Sequence, residues 1–120
     1  AELAKEITVE GRVKSVLHNS KYAGLIVTDQ DEKEKTLLLY DLKGDKLLEK
    51  ELNFDYTCIY LSGDEIIMHN DLTCVIYKSD GKEKFRYTFN TNVSALYPIN
   101  QFDRYFMVNP KEIQTIQLVE

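Results

Sequence analysis

Hydrophobic positions along this chain come in short blocks, and no segment sustains the period of a helix. Apolar runs or alternations at residues 3–9, 13–17, 22–28, 36–42, 46–52, 56–61, 65–69, 72–78, 83–89, 93–97, 104–108 and 112–119 each stop at turn formers. They predict about twelve strands. Gly24-Leu25-Ile26-Val27 is a run bounded by polar residues, which fits a strand buried on both faces. Residues 29–35 are uninterruptedly polar and predict a loop. Residues 46–52 have helical propensity, but the segment is short and sits between turns, so a strand of a hairpin is the better reading.

One phrase recurs. Tyr40-Asp41-Leu42-Lys43-Gly44 returns as Tyr77-Lys78-Ser79-Asp80-Gly81, each copy following an apolar run and preceding an apolar-Asn pair, Leu52-Asn53 and Phe89-Asn90. The same 37-residue offset aligns Phe85 with Leu48, Ser94 with Thr57, Ala95 with Cys58, Leu96 with Ile59 and Tyr97 with Tyr60. Val13-Lys14-Ser15-Val16 parallels Tyr56-Thr57-Cys58-Ile59 at an offset of 43, the extra residues falling in the 29–35 loop. A period near 40 residues with four strands in each is the pattern of propeller blades, small twisted sheets that bury their faces only by stacking. Small residues at Ser15, Cys58 and Ala95 suit the innermost strands. The recurring phrase becomes the hairpin between third and fourth strands, with Asp41 and Gly44 serving the turn and the Tyr40 ring packing between blades.

The Tyr-Asp-x-x-Gly hairpin closing an apolar strand resembles the repeats of WD40-like and quinoprotein-like β-propellers. Over its whole length the chain resembles a family of exported propeller proteins of Gram-positive bacteria without an established activity. It departs from the conventional pattern: it has no Trp-Asp or Gly-His signature, and no Trp at all, so the tryptophan docking motif of the quinone-cofactor propellers is missing. The resemblance implies the fold and an extracytoplasmic location, at the cell surface or secreted, and no catalytic residue. The expected architecture is all-β, a single repeat domain of about three four-stranded antiparallel blades: an outer strand at 1–9, blades at 13–52 and 56–89, and an incomplete blade at 93–119. The order begins with a fourth strand and ends without one. Completion therefore comes either from the rest of a longer chain or from a homodimer that exchanges terminal strands. A β-sandwich with accidental self-similarity is the competing fold.

Composition narrows the function classes. The 120 residues carry 15 Lys and Arg against 20 Asp and Glu, a formal charge of −5 without a basic run, which argues against nucleic-acid binding. No apolar stretch is long enough for membrane insertion, and residues 1–6 lack the apolar core of a signal peptide. Two cysteines, Cys58 and Cys74, are too few for a disulfide scaffold and are expected to be buried free thiols.

Catalytic motifs were sought and none emerges. The acidic run 29–35 starts like a calcium loop but has Lys33 and Glu34 where a ligand and a glycine are needed. His18 and His69, the two imidazoles, lack a second ligand at metal spacing and read as turn residues. No nucleophile elbow or glycine-rich phosphate loop exists. No metal, cofactor or catalytic residue is therefore assigned. Asn92-Val93-Ser94 matches a glycosylation acceptor and reads as a turn entering an inner strand. Propeller topology gathers Arg12, Phe54, Asp55, Tyr56, His69, Asn70, Asp71, Asn90, Asn92 and Asn109 on one loop face. Phe54, Tyr56, His69, Asn70 and Asn92 are the candidate binding residues there. Phe54 is expected to tuck over its blade, with anchoring of a partner as the alternative. The expected function is a non-catalytic binding or scaffold module for a protein or glycan. Its rival is part of a propeller enzyme with catalytic groups in other blades, since residues 13–17, 56–61 and 93–97 offer only Lys14 as a charge.

Overall fold

A computed structural model of the chain describes residues 9–99 and 104–118. Eleven strands and no helix form among them: β1 (Arg12–His18), β2 (Tyr22–Thr28), β3 (Lys35–Asp41), β4 (Lys46–Leu52), β5 (Cys58–Ser62), β6 (Glu65–His69), β7 (Thr73–Lys78), β8 (Glu83–Thr88), β9 (Ala95–Pro98), β10 (Arg104–Val108) and β11 (Ile113–Gln117). They make three antiparallel meanders, ordered β1-β2-β3-β4, β5-β6-β7-β8 and β9-β10-β11. The all-β, blade-by-blade expectation holds, and residues 46–52 are strand β4. The strand expected at 3–9 lies, but for Val9, outside the described residues. Two compact units divide the chain, one of Ala1–Phe54 with Ser79–Gly81, the other of Asp55–Lys78 with Lys82–Glu120.

The repeat is visible in backbone detail. β3 and β4 slip register between Leu39 and Tyr40, and β7 and β8 slip between Ile76 and Tyr77, 37 residues on. After each slip a glycine takes a left-handed angle, Gly44 at φ 89° and Gly81 at φ 90°. Bulge and glycine together turn the chain without splaying the strands. In the first copy Asp41 Oδ1 accepts the Lys43 and Asp45 amides, both at 2.9 Å, while Asp41 N–H donates to Asp45 O at 3.0 Å. Lys78 replaces that aspartate in the second copy, which keeps the main-chain bond, Lys78 N–H to Lys82 O at 2.8 Å.

Within the first unit β2 and β3 are the apolar centre. Ile26, Leu37 and Leu39 are fully buried, and Val27, Leu38 and Tyr40 form a buried cluster joined by Val9 and Leu25. Neighbours along β2 and β3 point to opposite faces, so both faces are covered, as the 24–27 run implied. The loop after β2 ends at Glu34; Lys35 already pairs with Thr28 and is buried. Asp29 organises that loop by accepting the Lys33 and Glu34 amides at 2.8 and 3.4 Å.

The second unit stacks two sheets. Ile67, Cys74 and Ile76 from β6 and β7 pack with Val93, Leu96, Tyr105 and Met107 from the third meander, flanked by Tyr60, Phe85, Phe89, Ile116 and Leu118. Ile66, Met68 and Val75, on the other face of the second sheet, are also fully buried. Cys74 sits in this core, where burial pushes its thiol up to about 11. Cys58 is exposed instead, because β5 is an edge strand whose first residue opens to solvent. His69 is likewise no turn residue: it closes β6 and is buried.

A polar clamp spans the two stacked sheets. Glu65 at the start of β6 takes the Lys84 ammonium in an ion pair and accepts the Tyr105 hydroxyl at 2.7 Å, while Lys84 Nζ donates to the same hydroxyl at 3.2 Å. The side chains of Lys84 and Glu65 are about one-fifth exposed, so the ion pair is only weakly screened. Burial, and then the bond to Glu65, hold the Tyr105 phenol up at about 12. Burial also raises Tyr60, whose hydroxyl has no hydrogen-bond partner among the described residues.

Two predictions follow from these features. Gly44→Val forces a side chain into a left-handed angle and should lower stability by on the order of 1–3 kcal/mol, read as a drop in the urea midpoint that Lys43→Ala does not show. Tyr105 has a higher pKa folded than its unfolded value of about 10. Its contribution to stability is therefore complete below about pH 10 and is lost as pH rises through about 12. Urea titrations across that window should show falling stability, and Tyr105→Phe should flatten the fall; an unchanged slope in the variant would refute the assignment.

Candidate functional site

The connectors of the second unit are drawn together by three main-chain hydrogen bonds and one from a side chain, at the end where β6 turns into β7. Thr57 N–H donates to His69 O at 2.8 Å, Asn70 Nδ2 to Asp55 O at 3.2 Å, Phe89 N–H to Leu72 O at 2.7 Å and Val93 N–H to Asp71 O at 2.6 Å. The chain entering the second sheet, the β6–β7 turn and the chain entering the third sheet thereby form one belt. The third sheet joins through Ser94 N–H, which donates to Val108 O at 2.6 Å.

Asparagine shapes the turns. Asn70 Oδ1 accepts the Leu72 and Thr73 amides at 3.1 and 2.9 Å, while Asn70 N–H donates to Thr73 O. Asn109 does the same with Lys111 and Glu112, and Asn19 with Lys21 and Tyr22. In each, the side chain mimics the carbonyl of a turn. The Asn109 hairpin sits at the equivalent place on the third sheet to Asn70 on the second.

Tyr56, His69, Asn70 and Asn92 all fall within or beside this belt. Their exposures differ. Asn92 is exposed, Tyr56 and Asn70 are half-buried, and His69 is only 4% exposed, its Nδ1 donating to Asn70 O at 3.3 Å. Phe54, the last residue before the second unit, is 6% exposed and tucked in. Phe54 and His69 are therefore closed off from solvent, and the reachable groups are Asn92, with its exposed neighbours Asn90 and Thr91, and the outer parts of Tyr56 and Asn70. Amide and phenol groups of this kind suit hydrogen bonding to peptide or sugar. Among the described residues no group of three or more His, Cys, Asp or Glu side chains is placed to hold a metal ion.

A groove of about 640 Å³ runs between β8 and β11 and was not anticipated from the sequence. Phe85, Tyr87 and Phe89 line one wall and Ile116 and Leu118 the other. The rings of Phe85 and Tyr87 lie parallel with centroids 6.1 Å apart, and Phe89 meets Tyr87 edge-on at 4.9 Å. The alternation of apolar and polar residues along 83–89 was the signal for that wall, but it reads equally as an outer strand packed on its own sheet.

Comparison with known proteins agrees with this architecture. BamB from Moraxella catarrhalis superposes with a TM-score of 0.51 at 18% identity, covering 88% of this chain and 32% of that one. Saccharomyces cerevisiae Sqt1 superposes with a TM-score of 0.54 at 15% identity, covering 97% of this chain and 34% of that one. Both are β-propellers, and the chain spans about a third of the length of each. At such identities the likeness concerns the fold, a partial propeller. No curated protein matches the chain. A family model covers residues 1–118, nearly the entire sequence, and the chain therefore belongs to the family of unknown function DUF5711.

Proposed function

We propose that the chain is a non-catalytic binding or scaffold module, a segment of a larger propeller that presents the loop belt of its second unit to a protein or glycan. The rest of the ring comes from a longer chain or from a second copy. The observation that carries this reading is the belt itself. Four hydrogen bonds fix three connectors together and leave Asn92 exposed beside the half-buried Tyr56 and Asn70. Preorganised loops of this kind lose little entropy on binding. The similarity to BamB and Sqt1 supports the scaffold on which such a face sits. An extracytoplasmic location belongs to the same reading and rests on the sequence resemblance to exported propellers.

The enzyme reading is weaker because the inner strands give it little to work with. Arg12 and Lys14, both in β1, are the charged side chains of β1, β5 and β9. Tyr60 and Cys74, whose acid groups are shifted, are both shifted upward by burial, which makes them poorer bases and nucleophiles near neutral pH.

A photo-crosslinking amino acid at Asn92, with a control at exposed Asp64 on the β5–β6 turn, tests the binding face in the producing cells. Adducts are expected from position 92 and not from 64, and Tyr56→Ala should reduce their yield several-fold. Equal labelling from both positions, or none from 92, would remove the loop belt as the binding face.

A further inference from the structure

The first unit carries a groove of its own, about 490 Å³ in volume, on one face of the β1–β4 sheet. Its floor is Val27, Leu38 and Tyr40, the buried cluster of that unit. Cross-strand partners share a face of a sheet, as do residues two apart in one strand. Val13 and Val16 pair with Val27 and Leu25, so they extend the same face past the groove. They are 49% and 65% exposed, whereas the floor is only 6–9% exposed. The groove is therefore a narrow slot that opens onto an apolar shoulder. A slot of this kind admits an extended side chain more readily than a broad surface.

The charges around the slot indicate what enters it. Glu10, Asp29, Glu34 and Glu49 line it, and Lys46 is the one cation among the described lining residues. Four carboxylates against one ammonium leave an excess of three negative charges. Lys46 is already engaged, its Nζ donating to Glu49 Oε1 at 3.0 Å. Both stand over the slot, because Lys46 pairs with Tyr40 and Glu49 with Leu38. Asp29 accepts main-chain amides, which satisfies hydrogen bonds without cancelling its charge. Among the described residues the Glu10 and Glu34 carboxylates have no ion-pair partner, and both residues are exposed. An apolar slot ringed by carboxylates is complementary to an alkyl stem that ends in a cation. Arginine suits it best, since its planar fork takes a carboxylate through two parallel hydrogen bonds.

We propose that this groove docks a basic segment of a partner protein in which an arginine stands beside an apolar residue. The arginine stem lies over Val27, Leu38 and Tyr40, the Glu10 and Glu34 carboxylates hold its guanidinium, and the apolar neighbour rests on Val13 and Val16. The surface belongs wholly to the first unit, so its occupancy does not depend on whether the loop belt of the second binds anything.

The probe is a fluorescein-labelled octapeptide of alternating arginine and valine, titrated by anisotropy against the 120-residue chain. Saturable binding is expected, weakening as salt rises from about 0.05 to 0.3 M. Citrulline in place of arginine keeps the shape without the charge and should abolish binding. The double variant Glu10→Gln, Glu34→Gln should weaken it roughly fivefold, and Val16→Lys should also weaken it, each with an unchanged urea midpoint. Glu83→Gln removes a carboxylate from β8, outside the groove, and should leave binding as it was. The proposal is overturned by an absence of saturation, by equal binding of the citrulline peptide, or by undiminished binding to the double variant. Equal weakening by Glu83→Gln would overturn it too, since the peptide would then be answering to net charge alone. A doubled mass in light scattering that the double variant abolishes would give the groove to a second copy and reject the partner segment.

Discussion

Everything in this structure answers to one constraint, that the middle strands are apolar on both faces. In β6 the consecutive residues Ile66, Ile67 and Met68 are all fully buried, though they alternate between the two sides of the sheet. Each such side chain is worth about 1.5–3 kcal/mol when removed from water. A four-stranded sheet standing alone would leave half of that gain unrealised. The edge strands are different: β1 is mostly exposed, β4 alternates, β8 has only Lys84 and Phe85 half-buried, and only the centre demands cover. Repetition of the sheet is the economical answer, because each copy supplies the face its neighbour lacks.

Polar groups then fix which way the stacked sheets meet. Glu65, Lys84 and Tyr105 come from β6, β8 and β10, so their mutual bonds exist only when the second and third meanders are correctly aligned. A pair of half-buried charges adds little net stability over apolar packing, but leaving one of the three without partners is costly. That asymmetry penalises misaligned stacking more than it rewards the native one. Apolar packing between Ile67, Leu96 and Met107 supplies affinity between the sheets, and the clamp supplies registration.

The strands and the hairpin pair were legible because they depend on neighbours in sequence. The phrase at Tyr40–Gly44 and Tyr77–Gly81 carried turn residues, period and offset at once, and the matching register slips show that the similarity reached the backbone. The Glu65–Lys84–Tyr105 clamp was not legible, since its members are up to 40 residues apart and each alone looks like an ordinary edge residue. Cys58 and His69 were misjudged for a related reason. Their types suggest burial and a turn respectively, but exposure is set by which strand lies at the sheet edge and by where β6 ends. Of the residues expected on one loop face, Tyr56, His69, Asn70 and Asn92 sit within or beside a belt in the second unit, while Arg12 and Phe54 lie in the first; which of them reach solvent was not legible, because exposure depends on tertiary surroundings that Phe54 and His69 do not share with Asn92.

The asparagine turns bear on how this protein ages. Asn19, Asn70 and Asn109 all use the side-chain oxygen, accepting two amides, and the Asn70 side-chain nitrogen donates outside its own hairpin, to Asp55 O. Spontaneous hydrolysis of the amide to a carboxylate keeps that oxygen and strengthens it as an acceptor. Asp29 and Asp41 already perform the same task in the first unit. Conversion to aspartate would thus add negative charge to an acidic chain while keeping the acceptor that shapes each hairpin, but at Asn70 it would remove the donor to Asp55 O, so that chemical wear would loosen the connectors before it altered the strands.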